Sequence, residues 1–158
     1  MKYIQNKIRK YISYYKSPIG YLKIIADDDY LLGLDFCNKK LEENKNKITE
    51  QVEKELEEYF KGERKIFTVK YKLEGTEFQK KVWKELLKIK FGETLSYIDI
   101  AEKIGNKKAS RAVGGANNKN SIAIIVPCHR VIGKNKKLVG YAGGLDKKEW
   151  LLKHENSL

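Results

Sequence analysis

The chain has 158 residues, 41% of them apolar, enough for one ordinary domain or two small ones with a packed core, which excludes global disorder. No stretch approaches the roughly 18 apolar residues of a membrane span, and two cysteines and two histidines, without CxxC or HxxxH, exclude a zinc-site signature. The formal net charge of +12 is uneven: residues 1–75 hold 16 basic and 13 acidic side chains, whereas residues 76–158 hold 17 and 8.

The first ten residues, MKYIQNKIRK, are basic, but no apolar stretch or small-residue cleavage site follows, so an intracellular, cytoplasmic protein is expected. Residues 11–36 predict an antiparallel meander: YISYYK, the turn SPIG, YLKIIA, the acidic turn DDD, and YLLGLDF. Val52, Leu56, Tyr59 and Phe60 recur at helical spacing, with Thr49 as the expected N-cap and Gly62 past the end. Residues 62–75 read as a short alternating strand and then a linker ending at Gly75. That break divides the chain into an N-terminal sheet-plus-helix domain, 1–72, and a C-terminal domain, 76–158.

The second half reads as mainly helical. Thr76 caps a helix whose buried face is Phe78, Val82, Leu86 and Ile89. Ser96 caps a second, with Tyr97, Ile100, Ala101 and Ile104 on one face, and Gly105 lies past its end. Asn106 is the expected cap of a third, through about Ala116. Two short helices joined by a Gly-containing turn match the helix-turn-helix pattern, although plain helix packing gives the same spacing. The third helix is unusually small-sided: Ala109, Ala112, Gly114, Gly115 and Ala116 surround one long side chain, Arg111. Such a surface suits close approach to a groove with one arginine inserted, or simply two helices in contact. A helix built to read base edges in the major groove carries more Asn, Gln and Arg.

Residues 122–126, IAIIV, predict a short buried strand ended by Pro127, with Cys128 where that strand meets an exposed segment. His129, Arg130 and Lys134 supply charge nearby. A free thiol is only a few per cent ionised at neutral pH, so a neighbouring base or cation would make Cys128 reactive. On an extended backbone the side chains of 128 and 129 point apart, so a local turn or a bridging water is required. These residues alone leave a reactive and a merely packed cysteine both open. Cys37 is read as a small core or rim residue, Trp83 and Trp150 as core, and His154 as solvated; Lys148 either touches the site or is simply exposed, and exposure is the favoured reading. A Cys37–Cys128 disulfide would be unusual in a reducing compartment.

FQKKVWKELL, FGETLSY, RAVGGANNKN, VPCHRVIG and YAGGLDKKEWLLKHE together resemble the O6-alkylguanine-DNA alkyltransferases, over essentially all of residues 76–158. The N-terminal half is similar in layout. The resemblance implies an α/β fold of the α+β kind: a small antiparallel sheet with a helix in a ribonuclease H-like layout, then a winged-helix-like helix-turn-helix domain. It implies that Cys128 accepts an alkyl group from O6-alkylguanine in double-stranded DNA, or less readily from O4-alkylthymine, once per molecule and with no cofactor or metal. His129 would take the thiol proton through a water, Glu155 would orient His129, and Asn120 would hold the turn into the active site. Tyr97 would press on a phosphate and give a proton to the departing base. Arg111 would replace the flipped nucleotide in the stack, Ala112 and Gly114 would lie in the minor groove, and Asn106 and Lys134 would contact DNA. Val131, Tyr141, Ala142 and Gly143 would line the base pocket. A monomer is expected. Departures from the family pattern are Ser121 and Ala123, where relatives carry proline, and Ala142, where serine is frequent. Two other classes remain to be weighed: a lesion binder without transfer, whose relatives lack the cysteine, and a Cys-His hydrolase, for which the sequence supplies no oxyanion hole.

Overall fold

The computed structural model describes residues 9–158; most of the basic N-terminal segment therefore lies outside the described residues. Strands β1 (Tyr11–Ser17), β2 (Gly20–Ala26) and β3 (Leu31–Cys37) form an antiparallel sheet in the order β1-β2-β3. The first turn is closed by Ser17 Oγ, which donates to the Gly20 carbonyl at 2.6 Å and accepts from Ile19 N at 3.1 Å. In the second, Asp27 Oδ1 accepts from the Asp29 and Tyr30 amides. The period-2 pattern turns Leu22, Ile24 and Ala26 inward, and all three are fully buried.

Helix α1 (Lys47–Phe60) packs Val52, Leu56 and Tyr59 against that face. Its N-cap is Asn46, not Thr49. The two form a capping box in which the Asn46 side chain accepts from Thr49 N and Thr49 Oγ1 accepts from Asn46 N. The expected strand in 62–75 is not formed. Tyr71 makes a single parallel bridge to Leu31, and Thr68 and Val69 give their amides to the buried carboxylate of Glu55 instead. An ionised carboxylate outcompetes a neutral carbonyl for those donors.

In the second half, α2 (Glu77–Leu86) and α3 (Tyr97–Lys103) start at Thr76 and Ser96 with full capping boxes. Helix α2 ends at Leu86, so Ile89 is buried from the turn that follows. Asn106 caps a 3-10 turn, Lys107–Ala109, rather than the helix itself, and α4 runs from Ser110 to Asn118. Trp83 Nε1 donates to the Ala116 carbonyl at 2.9 Å, fastening α2 to α4 inside the core. Two-residue strands β4 (Leu95–Ser96) and β5 (Val131–Ile132) pair in parallel, and α5 (Leu145–His154) ends the fold.

The expected strand 122–126 is also not formed. Only Ile122 bridges, to Leu34 of β3, with Leu34 N donating to Ser121 O and Ala123 N to Leu34 O, both at 2.9 Å. The next residues coil tightly, with Ile124 at φ 69° and Val126 N bonded back to Ile122 O. Asn120 imposes this path: its Oδ1 accepts from Ile122 N at 3.0 Å and its Nδ2 donates to Val126 O at 2.8 Å. The apolar run is nonetheless core, and it joins both halves of the chain in one buried cluster.

Candidate active site

Cys128, His129 and Arg130 form one 3-10 turn after Pro127, and all three are buried. Cys128 therefore does not meet an exposed segment, as its sequence context suggests; residues 127–132 are buried throughout. The turn holds both residues in one buried element and supplies the local bend that an extended strand would lack. Its backbone is held from α4, where Asn117 Nδ2 donates to the Cys128 carbonyl at 3.2 Å.

Behind the turn, Glu155 at the end of α5 collects donors. Its Oε2 lies 2.8 Å from His129 Nε2 and 3.1 Å from an Arg130 terminal nitrogen, and its Oε1 accepts from Arg130 Nε at 2.7 Å. Arg130 also donates to the Ile89 carbonyl at 2.6 Å. Burial would raise the Glu155 pKa, but the His129 hydrogen bond and the Arg130 fork outweigh it and hold the carboxyl at about 2. Burial pushes the His129 pKa down, against the pull of Glu155, and keeps the imidazole neutral. With Nε2–H given to Glu155, Nδ1 is the lone pair, and among the described residues it has no hydrogen-bond partner. The result is a base with one ring nitrogen fixed and the other free. The Cys128 thiol is raised by burial, partly offset by hydrogen bonding from Asn120 and by the charge of Lys148.

Lys148 corrects the sequence expectation. It is fully buried, not exposed, and its Nζ donates to the Val139 and Gly140 carbonyls at 2.8 and 3.3 Å. Burial pulls its pKa down to about 8. The Tyr97 hydroxyl donates to the same Val139 carbonyl at 2.9 Å. Ammonium and phenol thus hold one loop, whose continuation carries Tyr141, Ala142 and Gly143. Lys148→Met is expected to change the melting temperature by no more than a few degrees, because relief of the buried charge offsets the two hydrogen bonds lost. It should slow any reaction of Cys128 by about tenfold to a hundredfold, the worth of one or two charge-assisted bonds, as read by single-turnover kinetics.

A hollow of about 370 Å³ opens on the α3–α4 side, lined by Tyr97, Arg111, Gly114, Lys134 and the 139–140 loop. Asn106 and Ala112 are exposed and do not line it. Of the expected base-pocket residues, Val131 is fully buried in β5, and the Tyr141 ring lies edge-on to Phe36. Ala142 and Gly143 border a second hollow with Asp35, Phe36 and Lys147. His154 is not simply solvated: it stacks on Trp150 with centroids 4.9 Å apart and bonds the Tyr59 carbonyl. Cys37 lies half-buried at the rim of the second hollow. Among the described residues no cluster of three or more His, Cys, Asp or Glu could hold a metal ion, and no helix is long and apolar enough to cross a membrane.

Residues 10–73 match the ribonuclease-like domain of 6-O-methylguanine DNA methyltransferase, and residues 77–157 match its DNA binding domain. The chain belongs to the 6-O-methylguanine DNA methyltransferase family. A methylated-DNA–protein-cysteine methyltransferase of Methanosarcina acetivorans is 54% identical over 93% of this chain and 99% of that protein. One from Haemophilus influenzae is 40% identical over 92% and 86%. The crystal structure of the O6-methylguanine methyltransferase of Mycobacterium tuberculosis superposes with a TM-score of 0.86 at 42% identity, covering 94% of each chain. The same organism's protein in complex with DNA gives 0.81 at 44% identity over 91% of each. The family therefore accounts for the mixed α/β fold, with its ribonuclease-like and DNA-binding parts.

Sequence reasoning missed Arg130 as a partner of Glu155, and also Asn117 and Tyr59; it raised Lys148 as a site residue but favoured exposure. For Lys148 the signal was present: positions 148, 151, 152 and 155 fall on one helical face, and Leu151, Leu152 and Glu155 are buried with it. For Tyr59 none was, since its partner lies 96 residues away.

Proposed function

We propose that this methyltransferase repairs alkylated DNA by moving the alkyl group of O6-alkylguanine, and less readily of O4-alkylthymine, onto Cys128, once per molecule, as a monomer inside the cell and without a cofactor. The observation that carries this reading is the buried turn that holds Cys128 next to His129 in the chain, with Glu155 fixing the imidazole, Arg130 fixing Glu155, and the small-sided helix α4, Arg111 on its exposed face, bonded to the turn through Asn117. Relatives 40 to 54% identical carry the name of that activity.

The steps follow from the groups present. The methyl group sits on a base edge within the duplex, so the nucleotide must be everted. Helix α4 presents Arg111 to take its place in the stack, while Ala112 and Gly114 let the helix backbone approach the minor groove. Lys134 and Asn106 contact the backbone beside it. In this reading Val131, Tyr141, Ala142 and Gly143 take up the everted base. His129 Nδ1 accepts the thiol proton through a water, and the sulfur attacks the alkyl carbon. The carbon–oxygen bond breaks with its electrons going to the base. Tyr97, kept protonated by burial, donates a proton to that base once its hydroxyl leaves the Val139 carbonyl. The product thioether has no ionisable proton and no good leaving group, so the molecule is spent.

Incubation with a duplex carrying O6-methylguanine should add the mass of one methylene to the peptide that holds Cys128, with one group per protein. A folded, DNA-bound protein whose Cys128 stays unmodified would overturn the reading.

A further inference from the structure

One of the donors to Glu155 comes from the other half of the chain. The Tyr59 hydroxyl, on the inward face of α1, donates to Oε2 at 2.6 Å. His129 Nε2 approaches the same oxygen at 2.8 Å, so the phenol and the imidazole share it. Burial, and then the adjacent carboxylate, push Tyr59 far above the ordinary tyrosine range, so the hydroxyl is a donor at every working pH. The ring is fully buried and held by Phe60, Phe67, Phe91 and His154, with centroids 5.0 to 6.2 Å away. Packing alone would be met by phenylalanine, with no buried hydroxyl to satisfy.

We propose that Tyr59 is a positioning residue for alkyl transfer, setting through Glu155 how tightly His129 holds a proton. This rests on the reading of Cys128, His129 and Glu155 given above. Each hydrogen bond donated to a carboxylate stabilises its charge and makes it a weaker base. Arg130 already matches the charge of Glu155, and Tyr59 then takes a share of Oε2 that would otherwise pull on His129. The imidazole stays neutral, with Nδ1 free to accept the thiol proton. Without the hydroxyl, Oε2 becomes a stronger acceptor, the imidazolium gains stability, and His129 protonates at higher pH. A protonated His129 cannot accept, so the acid limb of the pH–rate profile moves upward. That limb is a property of the coupled thiol–imidazole pair. The N-terminal domain thereby acts on the reaction through one oxygen.

The test is the single-turnover transfer rate across roughly pH 5 to 9 for the wild type, for Tyr59→Phe, and for the protein with fluorotyrosine at position 59. Tyr59→Phe should raise the acid limb by about half a pH unit, so transfer is roughly threefold slower on that limb and within about twofold of wild type on the plateau above it. Affinity for the duplex should not change. Fluorotyrosine, a stronger donor, should move the limb the other way. Unmoved limbs in both proteins, or a uniform loss at every pH, would overturn the assignment. Should Tyr59→Phe fail to fold, the fluorotyrosine protein decides by itself. Should the wild type transfer nothing to Cys128, the functional reading fails, and the His129 titration followed by NMR in the same proteins still decides whether Tyr59 controls that imidazole.

Discussion

Cys128→Ala is expected to take up no methyl group from a methylated duplex at any pH or time, while its affinity for that duplex stays within about twofold of wild type. The sulfur is buried in a turn whose backbone is tied to α4 through Asn117 and whose approach is tied through Asn120. Removing one buried sulfur costs about 1 kcal/mol of packing, too little to undo those bonds. The surface proposed for DNA, Arg111, Lys134 and the small face of α4, lies outside the turn and is untouched. Binding and chemistry should therefore separate cleanly, with the variant holding the lesion without repairing it. Mass analysis of the intact protein and fluorescence anisotropy on the same duplex measure the two halves of the prediction. A variant that loses DNA affinity tenfold or more would mean that the thiol, not α4, organises the interface.

That separation reflects how the fold assigns its tasks. Helix α4 serves both sides: its exposed face carries Arg111, and its buried face carries Asn117, which holds the Cys128 carbonyl. Displacement of α4 by DNA would be transmitted to the nucleophile through one hydrogen bond. The loop at Val139 and Gly140 is the second point of contact between the two tasks. Tyr97 and Lys148 both hold it; in the proposed mechanism Tyr97 releases it to serve the base, and the buried ammonium still holds it.

Much of this was readable in the residues, and the failures have physical reasons. The meander was legible because turn chemistry at SPIG and DDD punctuates alternating strands. Thr49 was read as a cap because threonine caps well, but Asn46 three residues earlier caps as well, and the two bond each other. IAIIV has every local mark of a strand. What overrides it is the side chain of Asn120, whose two bonds close the backbone into a coil before a second strand can pair. The pairing of His129 with Glu155 came from the family resemblance and not from spacing. Arg130 and Tyr59 remained hidden because a buried carboxylate with several donors is assembled from α1, α5 and the 128–130 turn, and no local pattern encodes that meeting.

Glu155→Gln carries the largest expected cost in stability. The wild-type carboxylate neutralises Arg130, which is buried with it. Leaving that guanidinium without its counter-ion costs about 3–5 kcal/mol, and for a chain of this size that is a fall in melting temperature of roughly 10 °C. Methyl transfer should fall by about a hundredfold or more, since His129 loses the group that fixes its tautomer and supports its charge. The pH dependence separates the two effects. Glu155 is held at about 2 in the fold against about 4.3 in an unfolded chain, so its contribution is complete above about pH 5 and is lost as pH falls through 4 toward 2. Wild-type protein should lose about 3 kcal/mol across that window with uptake of one proton, and Glu155→Gln should lack that segment of the titration. Removing both charges, as in Glu155→Leu with Arg130→Met, should restore part of the stability, because no unpaired ion remains while the Tyr59 hydroxyl and the His129 Nε2–H lose their acceptor. It should restore none of the rate, because the imidazole still has no acceptor behind it. Denaturant midpoints and single-turnover rates on the three proteins decide this. A double variant that recovers both would show that the network serves only the fold.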